Sequence, residues 1–166
     1  TRKIYISHDT GDTFIQYPVS DDVPECNLNL IDTMDKSSIC IERGRTGTFY
    51  IALGVDGIWK MQYNITNDKI TFKKITDGNK TFYRIGLGIG PDGDFLRGPK
   101  SIYAAAIIDG VYGFYRSDDD GASWLRINND NQMFGQIDCI CGDARSFGRF
   151  YIATGSRGLL YGEPIQ

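Results

Sequence analysis

The sequence predicts an all-β chain: about three four-stranded antiparallel β-propeller blades, part of a larger propeller. Three observations predict it. Glycine and aromatic residues are abundant together, with 20 Gly, 10 Tyr, 9 Phe and 2 Trp among 166 residues. That combination favours tight turns and short strands over helices. An outline also recurs. FYIALGVDGIWKM, Phe49 to Met61, matches FYIATGSRGLLYG, Phe150 to Gly162, and SIYAAAIIDGVYGFYRS, Ser101 to Ser117, repeats it with a longer middle. Tyr50, Tyr103 and Tyr151 thereby fall about fifty residues apart, a period typical of radial β arrays. Finally, an eight-residue frame occurs twice, as SHDTGDTF (Ser7 to Phe14) and SDDDGASW (Ser117 to Trp124).

Residues 1–166 therefore read as a single partial propeller segment with repeats at roughly 1–48, 49–100 and 101–166, the last strands being candidates to close a ring. The expected strands are Lys3–Ile6, Thr13–Tyr17, Ser38–Glu42, Phe49–Leu53, Gly57–Gln62 and Lys69–Ile75. They continue with Ser101–Ala106, Tyr112–Arg116, Ser123–Ile127, Ile137–Cys141, Arg149–Ala153 and Leu159–Tyr161. Ile70, Phe72 and Ile75 set against Lys69, Thr71 and Lys73 suit a half-buried strand. Ile102 to Ala106 is apolar throughout and suits a strand covered on both faces. Its alanines fit crowding near a propeller axis. No amphipathic helix is evident.

The eight-residue frame lies between two strands and is read as a hairpin turn. Asp119 can accept hydrogen bonds from turn N–H groups, and Ser117 can bond locally in the same way. Gly121 supplies a positive φ, and Trp124 folds back as an apolar anchor assigned to the core. Ser7, Asp9, Gly11 and Phe14 repeat the set. A hairpin-capping carboxylate is already occupied by its own backbone, so these aspartates are structural. The middle repeat has a degenerate version around Met61 to Phe72, with Asn64 or Asn67 where an Asp might stand.

Net charge is −3 and the cations are scattered, so no basic stripe points to nucleic acid. The longest apolar run, Ile102 to Ile108, is far shorter than the ~20 residues of a membrane span. The opening TRKIYIS is already strand-like, as in an excised piece or mature fragment. The cysteines Cys26, Cys40, Cys139 and Cys141 fit an oxidising compartment without requiring one. Cys139 and Cys141 face one side of a strand, too far apart to bridge comfortably; Cys26 with Cys40 is the more plausible pair. The sequons Asn64-Ile65-Thr66 and Asn79-Lys80-Thr81 lean weakly towards secretion.

The frame resembles the Asp-box, or bacterial neuraminidase repeat, of sialidases, sortilin-type receptors and glycoside hydrolase family 74. YRSDDDGASWLRINNDNQMFG (Tyr115 to Gly135) followed by GDARSFGRFYIATGSRGLLYGEP (Gly142 to Pro164) narrows the choice. Together they resemble the C-terminal portion of family 74 xyloglucanases, at Gly142, Asp143, Arg145, Gly148, Arg149, Gly155, Arg157 and Gly158. The match is strong over the last third of the chain and looser before it. The resemblance implies a secreted enzyme of two seven-bladed propellers with a substrate cleft between them. Such enzymes cleave the β-1,4-glucan backbone of xyloglucan with inversion, using one aspartate from each propeller. Inversion needs carboxylates roughly 6.5–9.5 Å apart with room for a water. The family's pair lies upstream of the matched region, so no catalytic residue is expected here. Where the family commonly has a His in the loop after the last Asp-box, on the sugar-binding face, this chain has Gln132 followed by Met133. The only histidine, His8, occupies a variable position of the first frame.

Asp56, Asp92, Asp94, Asp109 and Asp143 stand at strand ends, but Asp56-Gly57, Asp92-Gly93 and Asp109-Gly110 are tight-turn pairs. Asp143 is expected to orient a turn with Arg145 or Arg149. Trp59, Tyr83, Tyr112 and Phe134 are the candidates for stacking on sugar rings, against packing between blades. No His/Cys/carboxylate cluster has metal-ligand spacing, one histidine inside a turn excludes Ser/His/Asp catalysis, and no cofactor is expected. The arginines lack any other sialidase signature. The expected function is thus the C-terminal propeller segment of a secreted xyloglucan hydrolase. Its expected partners are a plant cell-wall polysaccharide (xyloglucan or another β-glucan) and the remaining blades of the same or another chain. The alternative is a non-catalytic carbohydrate- or protein-binding module completed by oligomerisation; a receptor-type Asp-box protein ranks third.

Overall fold

A computed structural model of the chain describes residues 4–17, 38–67, 69–94, 98 and 100–164. Strands β1 (Ile4–Ile6) and β2 (Ile15–Tyr17) form a two-stranded ribbon. The first sheet is β3 (Ser38–Ile41), β4 (Thr48–Ala52), β5 (Ile58–Asn64) and β6 (Lys69–Lys74). The second is β7 (Lys80–Ile89), β8 (Lys100–Ile108), β9 (Val111–Ser117) and β10 (Leu125–Arg126). The third has three strands, β11 (Ile137–Gly142), β12 (Phe150–Thr154) and β13 (Gly158–Gly162). Each sheet is a meander in which every strand pairs antiparallel with its sequence neighbour. No helix occurs among the described residues. The all-β blade architecture read from the sequence is therefore the one observed.

Twelve strands were expected and the structure adds β7, the longest of all. Its sequence, KTFYRIGLGI, carries Arg84 and two glycines where an alternating apolar pattern would normally announce a strand. The sheets are also offset from the sequence repeats of 1–48, 49–100 and 101–166. The recurring Phe-Tyr and Ile-Tyr pairs mark the second strand of each sheet (β4, β8 and β12), not the first. The turn after β5 is shorter than an eight-residue frame. Asn64 caps it by accepting the Thr66 N–H at 2.9 Å, an ordinary Asx turn.

The sheets stack face to face, and β8 shows why. Ile102, Ala104, Ala106 and Ile108 pack with Tyr50, Ala52 and Ile58 of the first sheet. The alternate residues Tyr103 and Ala105 pack with Ile140, Phe150 and Ile152 of the third. A strand facing two neighbours must be apolar on both sides, hence the unbroken run. The second sheet is thereby the centre of two cores. Large residues such as Phe82, Tyr103, Phe114 and Ile58 are almost wholly buried, each contributing about 1.5–3 kcal/mol by burial.

The first strands of successive sheets run side by side. Ser38 on β3 donates its hydroxyl to the Ile85 carbonyl (3.2 Å) and accepts the Ile85 N–H (3.1 Å). Between β7 and β11 the approach is closer still. A Cβ on Gly86 would lie 2.1 Å from the Ile140 carbonyl oxygen, and one on Gly88 would lie 2.7 Å from Cα of Gly142. The crowding expected of the β8 alanines is met by these glycines.

Gly86→Ala should lower stability by about 1–3 kcal/mol, because backbone must move to admit the methyl group. Gly93→Ala meets no atom within 4 Å and carries only the strain of its φ of +74°. Urea unfolding of the two variants checks the difference; equal midpoints would contradict the close approach.

Candidate functional site

A meander puts successive turns at opposite ends of the sheets, so the molecule has two rims. One carries the eight-residue frames and the turns after β3, β7 and β11. The other carries the turns after β4, β8 and β12 and the links that precede β7 and β11.

At the first rim the two frames are superimposable in chemistry. Ser117 donates its hydroxyl to Asp119 at 2.8 Å and accepts the Gly121 N–H at 2.9 Å. Asp119 accepts the Ser123 N–H at 2.9 Å and its hydroxyl at 2.5 Å. In the first frame Ser7, Asp9, Gly11 and Thr13 make the same four bonds at 2.8, 2.8, 2.9 and 2.5 Å. The backbone repeats too: Thr10 and Gly11 have φ of 59° and 102°, Asp120 and Gly121 of 58° and 93°. The position after the acid must be left-handed, which Asp tolerates better than most residues. Hydrogen bonds from Thr13 and Ser7 hold the Asp9 carboxyl down to about 2. At Asp119 desolvation is the largest influence and acts upward, but the bonds from Ser123 and Ser117 together outweigh it, leaving its pKa lowered.

The three consecutive aspartates do three separate jobs. Asp118 accepts the Ser101 hydroxyl at 2.6 Å and pairs with Arg116 at 3.1 Å, tying the turn to β8 of its own sheet. Asp119 holds the turn itself. Asp120 crosses to the first sheet, accepting the Tyr50 hydroxyl at 2.9 Å and the Lys60 ammonium at 2.9 Å. Tyr50 is also within 3.2 Å of Glu42, which Arg45 pairs at 3.1 Å. Burial first, then the Asp120 and Glu42 carboxylates, push the Tyr50 phenol far upward, so it stays a donor. Sequence reasoning found Asp119 and missed the cross-sheet role of Asp120; the recurrence of Tyr50, Tyr103 and Tyr151 was the available signal. Trp124 donates its indole N–H to the Gly121 carbonyl at 3.1 Å and sets its ring 4.9 Å from that of Phe82 against the core, while its counterpart Phe14 is 64% exposed.

Asp143 holds the turn after β11 in the third sheet. It accepts the Arg145 and Ser146 N–H groups (2.7 and 3.0 Å) and the Tyr151 hydroxyl (2.7 Å), with Arg149 at 3.8 Å. Those bonds, the Tyr151 hydroxyl foremost, hold its carboxyl below the usual range.

The second rim gathers part of the aromatic set. Tyr83, at a bulge in β7, and Tyr112, near the start of β9, place their rings 6.3 Å apart at 52°, both half-buried. Tyr112 donates its hydroxyl to Gly135 at 3.4 Å, joining the pair to the link before β11. Phe134 is parallel to Phe114 and displaced from it, 6.2 Å between centroids at 4°, and packs against the second core. Trp59 sits apart on β5, its indole N–H on the Asp56 carbonyl at 3.2 Å. Asp109 and Gly110 both have positive φ, 51° and 81°, the two-residue hairpin turn that Asp-Gly favours. Gln132 caps its own loop, its side-chain oxygen accepting the Asn129 N–H at 3.1 Å, while the Met133 sulfur lies 3.3 Å from the Asn128 amide nitrogen. Among the described residues no group of three or more His, Cys, Asp or Glu could hold a metal ion. Cys40 is a free thiol, pushed up to about 12 by burial and then by Glu42; Cys139 and Cys141 are also free, and Cys26 lies outside the described residues.

Two measurements test the first rim. A carboxyl whose pKa falls on folding adds stability above its unfolded value, near 4, and loses it as pH drops through the folded value. The Asp9 hairpin should therefore loosen as pH falls from about 4 towards about 2. NMR titration should place the Asp9 and Asp119 carboxyls below ordinary aspartate; midpoints near 4 for both would refute the grip of the frames. In a double-mutant cycle, Tyr50→Phe and Asp120→Ala should couple by about 1–2 kcal/mol, and additivity would show that the bridge carries nothing.

No family profile matches the chain. Over 98% of its length it is 34% identical to a xyloglucanase from a Paenibacillus species, of which it covers 15%. Over 52% of its length it is 46% identical to xyloglucanase Xgh74A of Acetivibrio thermocellus, of which it covers 10%. Its fold matches the GH74 xyloglucanase of Xanthomonas campestris with a TM-score of 0.75 and 29% identity, over 98% of this chain and 21% of that one. The chain thus spans between a tenth and about a fifth of the length of these relatives. Because sequence and fold agree over nearly all of its residues, the chain is a segment similar to part of the xyloglucanases of glycoside hydrolase family 74.

Proposed function

We propose that this chain is a C-terminal propeller segment of a secreted, inverting, xyloglucan-hydrolysing enzyme of the endo-β-1,4-glucanase type. It supplies blades and one wall of the substrate cleft, and the catalytic aspartate pair lies in other blades. The observation that supports this reading most is the match of the whole stacked-sheet arrangement to a GH74 xyloglucanase over 98% of the chain. The frames at the first rim are read as Asp-boxes whose carboxylates hold hairpins and sheets. Every acid of the rim described above is already engaged with turn N–H groups, hydroxyls or cations, a poor condition for proton transfer. The second rim is the substrate side. There the Tyr83–Tyr112 pair stacks on a glucan ring, with Trp59 as a separate contact and Phe134 as the packing beneath the loop.

Purified chain incubated with xyloglucan should release no reducing ends; clear turnover would show a catalytic pair within these residues. Tyr83→Ala and Tyr112→Ala should weaken retention in xyloglucan affinity electrophoresis several-fold while leaving thermal unfolding nearly unchanged. Phe134→Ala should do the reverse, and unchanged mobility for both tyrosine variants would remove that pair from the cleft.

A further inference from the structure

The recurring tyrosines, one on the second strand of each sheet, do not treat their phenols alike. Tyr50 donates to Asp120 at 2.9 Å and reaches Glu42 at 3.2 Å, with the Lys60 ammonium 5.0 Å from its ring centroid. Tyr151 donates to Asp143 at 2.7 Å, and Arg149 lies 3.8 Å from that carboxylate. Each of these phenols thus shares a carboxylate with a cation. Tyr103 is the most deeply buried of the three, 0% exposed against 3% for Tyr50. Its hydroxyl has no hydrogen-bond partner among the described residues. A buried hydroxyl left unpaired costs about 1–3 kcal/mol, so an orphan of this kind calls for a physical explanation.

The surroundings of that hydroxyl are cationic and rich in donors. Arg116 stands directly opposite Tyr103 on the next strand, the register position that Lys60 holds opposite Tyr50. Directly opposed residues share a face of the sheet, and the Tyr103 face is the one packed on the third sheet. From the third sheet the turn after β11 closes over the pair. Phe147 sets its ring centroid 4.5 Å from the Arg116 guanidinium carbon, and Gly148 follows with a φ of +86°. A Cβ on Gly148 would lie 2.4 Å from Pro164 Cγ and 3.4 Å from Arg116 Nη1, so the backbone comes in where a larger residue would not fit. Burial raises the pKa of the Tyr103 phenol. The Arg116 charge and the Gly148 N–H act against that rise, and neither reaches hydrogen-bond geometry with the hydroxyl. Asp118 is the carboxylate that acts on the same phenol, and it is already engaged by the Ser101 hydroxyl at 2.6 Å and by Arg116 Nε at 3.1 Å.

We propose that the Tyr103 hydroxyl, the Arg116 Nη groups and the Gly148 N–H form a binding site for one small monovalent anion of halide size, chloride in ordinary solution. The guanidinium and the N–H can only donate, and the phenol can turn its proton towards them. An ion that only accepts suits such a set better than a water, which must also place its own protons and would find a single acceptor, the phenol oxygen. The guanidinium makes the contact charge-assisted, and the main-chain N–H adds a fixed partial charge. Phe147 and Pro164 close the place to anything bulky. The anion would do between the second and third sheets what the Asp120 carboxylate does between the first and second, where it meets a phenol and an opposed cation. The site lies at the first rim and is independent of the function proposed for the second.

Crystals of the chain grown in sodium bromide should show a bromine anomalous peak within hydrogen-bond reach of Tyr103 Oη and the Gly148 nitrogen. In solution, replacing sodium gluconate with sodium chloride at constant ionic strength should raise the melting temperature along a saturating curve. Tyr103→Phe should flatten that curve, because the ring stays and only the donor goes. Arg116→Gln should move its midpoint to roughly tenfold higher chloride or more, as loss of a hydrogen bond from a charged group implies. Arg116→Lys, which keeps the charge, should return the midpoint to near its original value. If an Arg116 variant does not fold, Tyr103→Phe and the bromide map carry the comparison. Density at the phenol without anomalous signal, or bromide found only elsewhere, overturns the site. So does a chloride effect of equal size in Tyr103→Phe, or no chloride effect in the unaltered chain.

Discussion

The structure depends on how closely the first strands of neighbouring sheets approach. At Gly86 and Gly88 the backbone of β7 meets that of β11 with no space for a side chain. Strands brought this close lock the sheets face to face, and the wider outer parts can then fill with large side chains. The central sheet carries two cores because it has two such neighbours. Tyr103 and Phe114 serve one face, and Ile102 and Tyr115 the other. No single sheet of this size would be stable with both faces in water, so each depends on a neighbour for cover.

The acidic frames act on this stack from one rim. A turn that consumes its own aspartate needs nothing else to be rigid, so Asp9 and Asp119 can repeat in unlike surroundings. Asp120 makes the second hairpin more than a cap. It carries a hydrogen bond and an ion pair to Tyr50 and Lys60 of the sheet before it, so the same turn closes its own hairpin and anchors a neighbour. With both partners charged or strongly polar and the phenol buried, that contact resists solvent competition better than an exposed ion pair would.

The opposite rim is the one proposed above to face the carbohydrate. Short turns such as Asp109-Gly110 leave it low and open, and the Tyr83–Tyr112 pair stands beside the longer link that precedes β11. Separating the two rims lets the frames stabilise the stack without constraining the loops at its other end. The chain is similar to a segment of family 74 xyloglucanases, and most of a relative's length lies outside the stretch it matches. An activity that needs parts from several blades is therefore a property of the assembled ring.

Much of this was legible in the sequence. Strand periodicity, the Asp-Gly turns and the recurring tyrosines are local signals, carried by residues that act on their own hairpin, and they determined the all-β class, the repeat and twelve strands. The double-sided burial of β8 could be read from its unbroken apolar run. What the sequence concealed was decided by contacts between sheets. The strand β7 was hidden because its glycines answer to β11 and its Arg84 to the Asp138 carbonyl, neither of which leaves a period in the chain. The bridge from Asp120 to Tyr50 joins residues far apart in sequence. The exposure of Leu159 in the third sheet against the burial of Ile58 in the first depends only on which sheet has a neighbour. Local chemistry writes itself into the order of residues; the meeting of two faces is settled only when both are folded.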